Sequence, residues 1–115
     1  MDARVRDVIA FMRANLNRQI SVSEMAASVQ LSASHLRQLF KTETGTSFAR
    51  YLKGLRMQRA KELLETTFLS VKQVATEVRI ASISHFVADF KKACGTTPSQ
   101  YAGRYQRIHK PHANH

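Results

Sequence analysis

The sequence has few of the residues that disulfide frameworks, metal clusters and turn-rich folds require. It contains one cysteine, Cys94, so neither a disulfide framework nor a cysteine-based zinc cluster can form within the chain. A single cysteine also fits a reducing compartment. Four glycines and two prolines in 115 residues leave too few turn residues for a multi-stranded β fold, and tryptophan is absent. These shortages favour an all-α protein.

Long apolar runs are also missing. The longest, Val8–Met12, is far shorter than the roughly 20 residues that span a bilayer. Residues 1–4 contain no apolar segment, which predicts that there is no signal peptide. We therefore expect a soluble, cytoplasmic protein that is not associated with a membrane.

Acidic residues are scarce relative to basic ones. Eight Asp and Glu stand against 18 Lys and Arg, which gives a net charge of +10 and an isoelectric point near 10.5. Residues 1–57 and residues 58–115 each hold nine basic and four acidic residues, so each half carries 9 − 4 = +5. The charge is therefore not confined to a basic tail. So strong a positive balance in a short chain predicts a polyanionic partner.

An internal repeat divides the sequence into two copies of one unit. One block recurs at an offset of 49 residues: Val22, Ala26 and Val29 are matched by Val71, Ala75 and Val78. A second block recurs at an offset of 50: Ser34, His35, Phe40, Lys41, Gly45, Thr46 and Tyr51 are matched by Ser84, His85, Phe90, Lys91, Gly95, Thr96 and Tyr101. The change of offset falls where a turn can absorb one residue.

Each copy predicts two helices separated by a turn. In copy one, Ser21 or Ser23 can cap the first helix and Ser32 the second. Gly45 can end the second helix in the left-handed conformation. The corresponding residues of copy two are Ser70, Ser82 and Gly95. The sequence therefore predicts two helix-turn-helix modules, at about 22–45 and about 71–95.

Three further helices complete the predicted fold. An amphipathic helix at about 47–66 links the two copies, a leading helix runs from about Val5 to Leu16, and Pro98 opens the last helix. The expected fold is all-α, with about seven helices in one domain over residues 1–107. Residues 108–115 are mostly polar and are predicted to be disordered.

The second predicted helix of copy one has an outer face suited to DNA. Helical spacing turns Leu36, Leu39 and Phe40 inward. The outward residues are then Ser34, Arg37, Gln38 and Lys41. Arginine can bond guanine and glutamine can bond adenine with paired hydrogen bonds in the major groove. Such a face can also be merely solvated, but the repeat and the net charge favour DNA.

Two long stretches of the sequence follow the pattern of a known family. The first is Leu31-Ser32…Leu36…Phe40-Lys41…Gly45…Tyr51-Leu52…Arg56…Ala60-Lys61…Leu63-Leu64. The second is Val74-Ala75…Phe86…Phe90-Lys91-Lys92…Gly95-Thr96-Thr97-Pro98…Tyr101. On these residues the chain resembles, from about Val5 to Tyr105, the DNA-binding domain of the AraC/XylS family of bacterial transcription regulators.

The resemblance implies sequence-specific binding of double-stranded DNA, without catalysis or a cofactor, by two recognition helices in successive major grooves. The family's base-contacting positions fall on Ser34, Arg37 and Gln38 in the first module, and on Ile83, Ser84, Val87 and Ala88 in the second. We expect phosphate contacts from Ser32, Lys41, Arg50, Arg56, Arg59, Lys91 and Lys92. We also expect a transcriptional activator at the bacterial nucleoid with RNA polymerase as a second partner, although the sequence itself does not distinguish activation from repression. Family members often carry a separate sensor domain, which would lie outside this chain.

The sequence departs from the family pattern at two kinds of position. Gln30 and Arg79 stand in the inter-helix turns where the family usually has glycine. Positive φ at such residues costs about 1–2 kcal/mol, so we expect adjusted turns. Val87 and Ala88 align with Arg37 and Gln38, and apolar side chains cannot bond base edges. We therefore expect the first module to make the main base contacts.

Other functions have weaker support in the sequence. A basic helical module that binds RNA polymerase or another protein, with DNA contact secondary, is the main alternative. An enzyme is not favoured, because adjacent residues such as Ser34 and His35 project about 100° apart on a helix and do not form a nucleophile–base pair. His35 and His85 are interpreted as packing or phosphate-facing groups, and His109, His112 and His115 as part of an unstructured tail rather than a metal site.

Overall fold

Seven α-helices make up the described part of the chain. The computed structural model describes residues 1–109 and the side chains of residues 1–105. The helices are α1 (Ala3–Ala14), α2 (Val22–Ser28), α3 (Ala33–Thr44), α4 (Phe48–Thr66), α5 (Val71–Glu77), α6 (Ile83–Cys94) and α7 (Pro98–His109). Residues 1–109 contain no β-strand. The predicted all-α fold with two helix-turn-helix modules, α2–α3 and α5–α6, is confirmed.

Serine residues are the N-caps of the four helices in the two modules. The first module uses Ser21 and Ser32, and the second uses Ser70 and Ser82. Each hydroxyl accepts a hydrogen bond from the backbone N–H three residues further on, at 3.1 to 3.2 Å. Such a cap stabilises a helix by about 1 kcal/mol. The sequence allowed either Ser21 or Ser23 as the N-cap of α2, and the structure shows that Ser21 is the cap.

Glycine ends the second helix of each module, α3 and α6, as predicted. Gly45 and Gly95 have φ of 78° and 82°, in the left-handed region that glycine enters without steric penalty. Their N–H groups donate to the carbonyls of Lys41 and Lys91, each at 2.8 Å. The chain therefore turns sharply after α3 and again after α6.

The turn inside each module differs from the sequence prediction. Gln30 and Arg79 have φ of 61° and 57°, so both non-glycine residues lie in the left-handed region. The expectation of adjusted turns was wrong, because both turns keep the geometry that glycine would favour. Two side chains therefore occupy a backbone conformation that costs about 1–2 kcal/mol each.

Backbone hydrogen bonds hold these turns in place. After α2, Leu31 N–H donates to the Ala26 carbonyl at 2.8 Å and Gln30 N–H donates to the Ala27 carbonyl at 3.1 Å. This pair of bonds is a Schellman motif, which satisfies the last carbonyls of a helix. Copy two repeats the motif through Ile80 with Ala75 and Arg79 with Thr76, at 2.8 and 3.0 Å. The bonds offset the strain at the left-handed residue.

Glycine at either turn position is expected to stabilise its module. Gln30→Gly and Arg79→Gly each remove the Cβ that strains the backbone, which should stabilise the folded state by about 1–2 kcal/mol. Glycine also raises the entropy of the unfolded chain, which opposes this gain by up to about 1 kcal/mol. We expect a net gain of about 0.5–1 kcal/mol in the free energy of unfolding, measured in urea. Gln30→Ala, which keeps the Cβ, is the control and should gain nothing. An equal gain in the alanine variant would contradict strain as the cause.

The first compact unit, Met1–Arg56, has its own core. Phe40 is fully buried, with Phe48 and Tyr51 edge-on to its ring at centroid distances of 5.6 and 5.3 Å. The buried residues of this core are Val5, Val8, Ile9, Met12, Ile20, Met25, Ala26, Leu36, Phe40, Phe48 and Leu52. α1 covers the first module as predicted, although the helix ends at Ala14 and Leu16 packs on the core from the following loop.

The second compact unit begins at Met57 and repeats this packing. Phe90 lies 5.8 Å from Phe86 and 5.5 Å from Tyr101 between ring centroids, which matches the pair formed by Phe40 and Tyr51. The buried residues are Ala60, Leu63, Leu64, Val74, Ala75, Val78, Phe86, Phe90, Tyr101 and Ala102. Burial, and a hydrogen bond to the Glu65 carboxylate, raise the pKa of the Tyr101 hydroxyl.

The last helix is longer than the sequence predicted. α7 begins at Pro98 as expected, but it continues through His109, so residues 108 and 109 are helical rather than part of a tail. The remaining residues of the predicted tail, 110–115, lie outside the described part of the chain. None of the helices within residues 1–109 is both long and apolar enough to cross a bilayer.

Candidate nucleic-acid interface

The outer face of α3 displays the residues that the sequence placed there. Leu36 and Phe40 are fully buried, and Leu39 packs partly on the first core. The side chains on the opposite face are exposed: Ser34, Arg37, Gln38 and Lys41. Spacings of three and four residues make them neighbours on one helix surface. The predicted separation of the inward and outward residues of this helix is confirmed.

This face of α3 forms a shallow, open surface that extends one residue further than the sequence indicated. It is lined by Ser34, Arg37, Gln38, Lys41 and Thr42. The Thr42 hydroxyl donates to the Gln38 carbonyl at 2.9 Å, so it bonds to its own helix. Its position four residues after Gln38 is the signal that could have identified it. The surface combines two cationic groups with amide and hydroxyl groups, which suits a ligand rich in anionic and hydrogen-bonding groups.

The outer face of α6 has the same register but a different chemistry. Phe86 and Phe90 are buried at the positions of Leu36 and Phe40. The predicted base-contacting residues of this module lie outside the core: Ile83, Ser84 and Ala88 are exposed, and Val87 is half-buried. At the positions where α3 has Arg37 and Gln38, α6 therefore has the apolar residues Val87 and Ala88.

Basic residues lie at the ends of both recognition helices. Lys41 is in the last turn of α3, and Lys91 and Lys92 are in the last turn of α6; all three side chains are exposed. Ser32, at the start of α3, accepts its capping bond while remaining exposed. A hydroxyl that accepts one hydrogen bond can still donate another, so this cap is compatible with a phosphate contact.

The three arginines of α4 differ in their surroundings. Arg50 is exposed near the start of the helix, and Arg59 is exposed and pairs with Glu62 at 3.3 Å. Arg56 is half-buried within the first unit, where its Nη2 donates to the Arg18 carbonyl at 2.8 Å and its Nε donates to the Leu16 carbonyl at 3.4 Å. The Arg56 guanidinium therefore holds the loop that follows α1. Phosphate contact by these arginines stays a prediction.

Features that suggest other chemistry do not assemble into a site. His35 and His85 are both exposed, which excludes the packing interpretation of their side chains. Cys94 is half-buried at the end of α6. Within the described residues there is no cluster of histidine, cysteine and carboxylate side chains that could hold a metal ion. The tail histidines, His109, His112 and His115, lie outside the residues whose side chains are described.

Comparison with known proteins gives consistent matches over most of the chain. A family model described as a helix-turn-helix domain matches residues 25–104. The HTH-type transcriptional activator RhaR of Enterobacter sp. is 31% identical over 92% of this chain. The chain spans only 12% to 38% of the length of curated relatives such as this one, 38% in the case of RhaR.

Solved structures share the fold. The DNA-binding domain of AdpA, a global transcriptional factor crystallised with a target DNA, matches with a TM-score of 0.84 and 26% identity over 94% of this chain and 97% of its own. A probable AraC family transcriptional regulator from Rhodopseudomonas palustris matches with a TM-score of 0.82 and 26% identity, over 90% of this chain and 98% of its own. The names of all three proteins describe regulators of transcription. With the two modules and the matched family model, they show that the chain belongs to the AraC family of helix-turn-helix domains.

Proposed function

We propose that this chain binds double-stranded DNA sequence-specifically, as the DNA-binding domain of a bacterial transcription regulator. The observation that carries the proposal is the outer face of α3, where Ser34, Arg37, Gln38 and Lys41 are exposed above a fully buried Leu36 and Phe40. A recognition helix needs this arrangement, because its inner face fixes its position while its outer face meets base edges. The net charge of +10 and the AdpA–DNA complex support the same ligand.

The first module makes the main base contacts in this proposal. Arg37 can donate two hydrogen bonds to guanine, and Gln38 can pair with adenine. Ser34 lies one turn before them on the same exposed face. The matching residues of α6, Val87 and Ala88, have no hydrogen-bonding groups on their side chains. Base identity should therefore be recognised mainly in the half-site under α3.

Phosphate contacts position both modules. Lys41, Lys91 and Lys92 follow the base-contacting residues on their helices by one turn and are exposed. In a helix-turn-helix complex, such contacts fix the register of the protein but carry no sequence information. Ser32, Arg50, Arg56 and Arg59 are proposed as additional phosphate contacts, with Arg56 contributing least because its donors bind backbone carbonyls.

Two modules in one chain are expected to protect two patches of DNA. If α3 and α6 enter successive major grooves, hydroxyl-radical footprinting should show protection at two positions about 34 Å, or one helical turn, apart. The site should be asymmetric, because the two helices present different residues. One protected patch, or a strict palindrome that requires two chains, would contradict the bipartite arrangement.

RhaR is named an activator, and we propose the same direction of regulation for this chain, with RNA polymerase as the second partner. We also propose that a sensor domain accompanies it, because the match to this chain covers only 12% to 38% of the length of the curated relatives.

The proposal is tested by selecting bound duplexes from a random pool in vitro. Enrichment of one asymmetric sequence of about two helical turns is the expected result. A pool that stays random after repeated rounds would favour the alternative of a basic protein-interaction module. The selected duplex can then be used to measure how substitution of each assigned residue changes the binding affinity.

A further inference from the structure

The outer face of α6 exposes apolar side chains that are not part of the second core. Ile83 is 39% exposed, and the only other large hydrophobic side chains exposed among residues 1–105 are Met1 and Phe68. Ala88 is exposed and Val87 is half-buried. The buried second core and the partly buried hydrophobic residues packed on it include none of Ile83, Val87 and Ala88. These three residues, called here the α6 apolar strip, lie outside the second core and the residues packed on it.

Helix geometry places the α6 apolar strip next to positive charge. Ile83 and Val87 are four residues apart, and Lys91 follows Val87 by the same spacing, so the three lie along one side of the helix. Lys92 follows Ala88 in the same way. Asp89, the one acidic residue of α6, is half-buried and projects about 200° from Val87. The start of the helix therefore exposes Ile83 beside the polar side chains of Ser84 and His85, and its end is cationic.

We infer that the α6 apolar strip contacts the 5-methyl groups of thymines, so that the second module recognises thymine by shape and hydrophobicity rather than by hydrogen bonds. The inference rests on the proposed function and specifies the bases that this helix selects. The thymine methyl is the apolar group that the four bases display in the major groove. A polar base edge against Ile83 or Val87 would lose its water without gaining a partner, which is unfavourable. Lys91 and Lys92 would meet the neighbouring phosphates.

The expected strength follows from the size of one methyl group. Burying one CH₂-sized group is worth about 0.8 kcal/mol, which corresponds to a factor of roughly four in affinity. A paired hydrogen bond from Arg37 to guanine is worth more, about 1–3 kcal/mol. The second module should therefore show a modest preference that depends on the methyl group, consistent with α3 making the main base contacts.

Replacement of thymine by deoxyuridine tests the inference, because it removes the 5-methyl group and leaves base pairing and the O4 acceptor unchanged. In the selected duplex, each thymine is replaced singly and the dissociation constant is measured. We expect a roughly fourfold weakening at one or two positions under α6. A complementary substitution exchanges such a thymine–adenine pair for cytosine–guanine. Methylation of that cytosine at C5 should then recover part of the lost affinity.

A pair of reciprocal variants identifies the half-sites and serves as the control. Val87→Arg with Ala88→Gln gives α6 the residues of α3, and Arg37→Val with Gln38→Ala gives α3 the residues of α6. Repeated selection should change base preference only under the altered helix. The first variant should lose the deoxyuridine effect and prefer guanine or adenine there. The second should acquire a deoxyuridine effect under α3. Circular dichroism confirms that each variant is folded.

The outcomes separate this inference from the proposed function. If selection enriches a sequence but no thymine lies under α6, or deoxyuridine there changes nothing, the methyl contact is wrong while specific DNA binding stands. If the deoxyuridine effect survives in the Ile83→Ser and Val87→Arg/Ala88→Gln variants, other residues make the contact and the assignment to the α6 apolar strip is wrong. If no sequence is enriched, the proposed function fails and the inference fails with it.

Discussion

Arg37→Ala is expected to weaken binding to the selected duplex by roughly 5- to 150-fold, the equivalent of about 1–3 kcal/mol for one paired contact to guanine. Arg37 is exposed on the outer face of α3, so its removal should leave the first core intact. Base preference at the contacted position should relax in the same variant. Binding to random duplex should change far less, because phosphate contacts supply most of that affinity. Fluorescence anisotropy with the selected and the random duplexes measures both effects.

Val87→Ala is the matched control for Arg37→Ala. It changes the aligned position of the second module and removes only apolar surface. We expect an affinity loss of fourfold or less, since the substitution can remove at most the contact with a single thymine methyl group. If Val87→Ala reduced discrimination as much as Arg37→Ala, the assignment of the main base contacts to the first module would be wrong.

Added salt is expected to reduce binding to random duplex several hundredfold. If about four to six phosphates are neutralised, the plot of log affinity against log salt has a slope near −4 to −5. Between about 50 and about 200 mM salt, this slope predicts a loss of roughly 250- to 1,000-fold. The physical cause is the release of counterions from DNA when lysine and arginine side chains replace them. An affinity that stays flat over this range would contradict an electrostatic contact with the backbone.

Single lysine substitutions show which residues contribute to this slope. Lys91→Ala and Lys92→Ala should each weaken specific and random binding alike and reduce the slope by about one. Arg13, exposed on α1, is not among the expected phosphate contacts, and Arg13→Ala should leave the slope unchanged. An equal reduction in all three variants would indicate a general effect of net charge rather than contact at the end of α6.

Much of the fold could be predicted from the sequence because its signals are local. The capping serines and Gly45 and Gly95 each act within a few residues and mark the helix boundaries closely, and the repeat shows the same signals twice. The inter-helix turns were not predicted, because the penalty for positive φ at Gln30 and Arg79 is local whereas its compensation is not. The packing of Leu31 and Ile80 on the two cores is tertiary, and it adds to the local Schellman bonds in offsetting that penalty.

The candidate interface could be predicted in part for a similar reason. Helical periodicity separates Leu36 and Phe40 from Arg37 and Gln38 without any knowledge of tertiary structure. The role of Arg56 could not be found this way, because its partners are backbone carbonyls 38 and 40 residues earlier in the chain. Every residue has a carbonyl, so no sequence pattern marks the ones that an arginine will bond.

Sequence-specific recognition is tested most directly by the ratio of affinities for the selected and the random duplex, measured in one buffer at physiological salt. A domain that recognises bases through α3 and is positioned by phosphates should bind the selected duplex about a thousandfold more tightly, or better. A ratio near one, with the steep salt dependence retained, would mean that the chain binds DNA only as a polyanion and that α3 does not recognise base sequence.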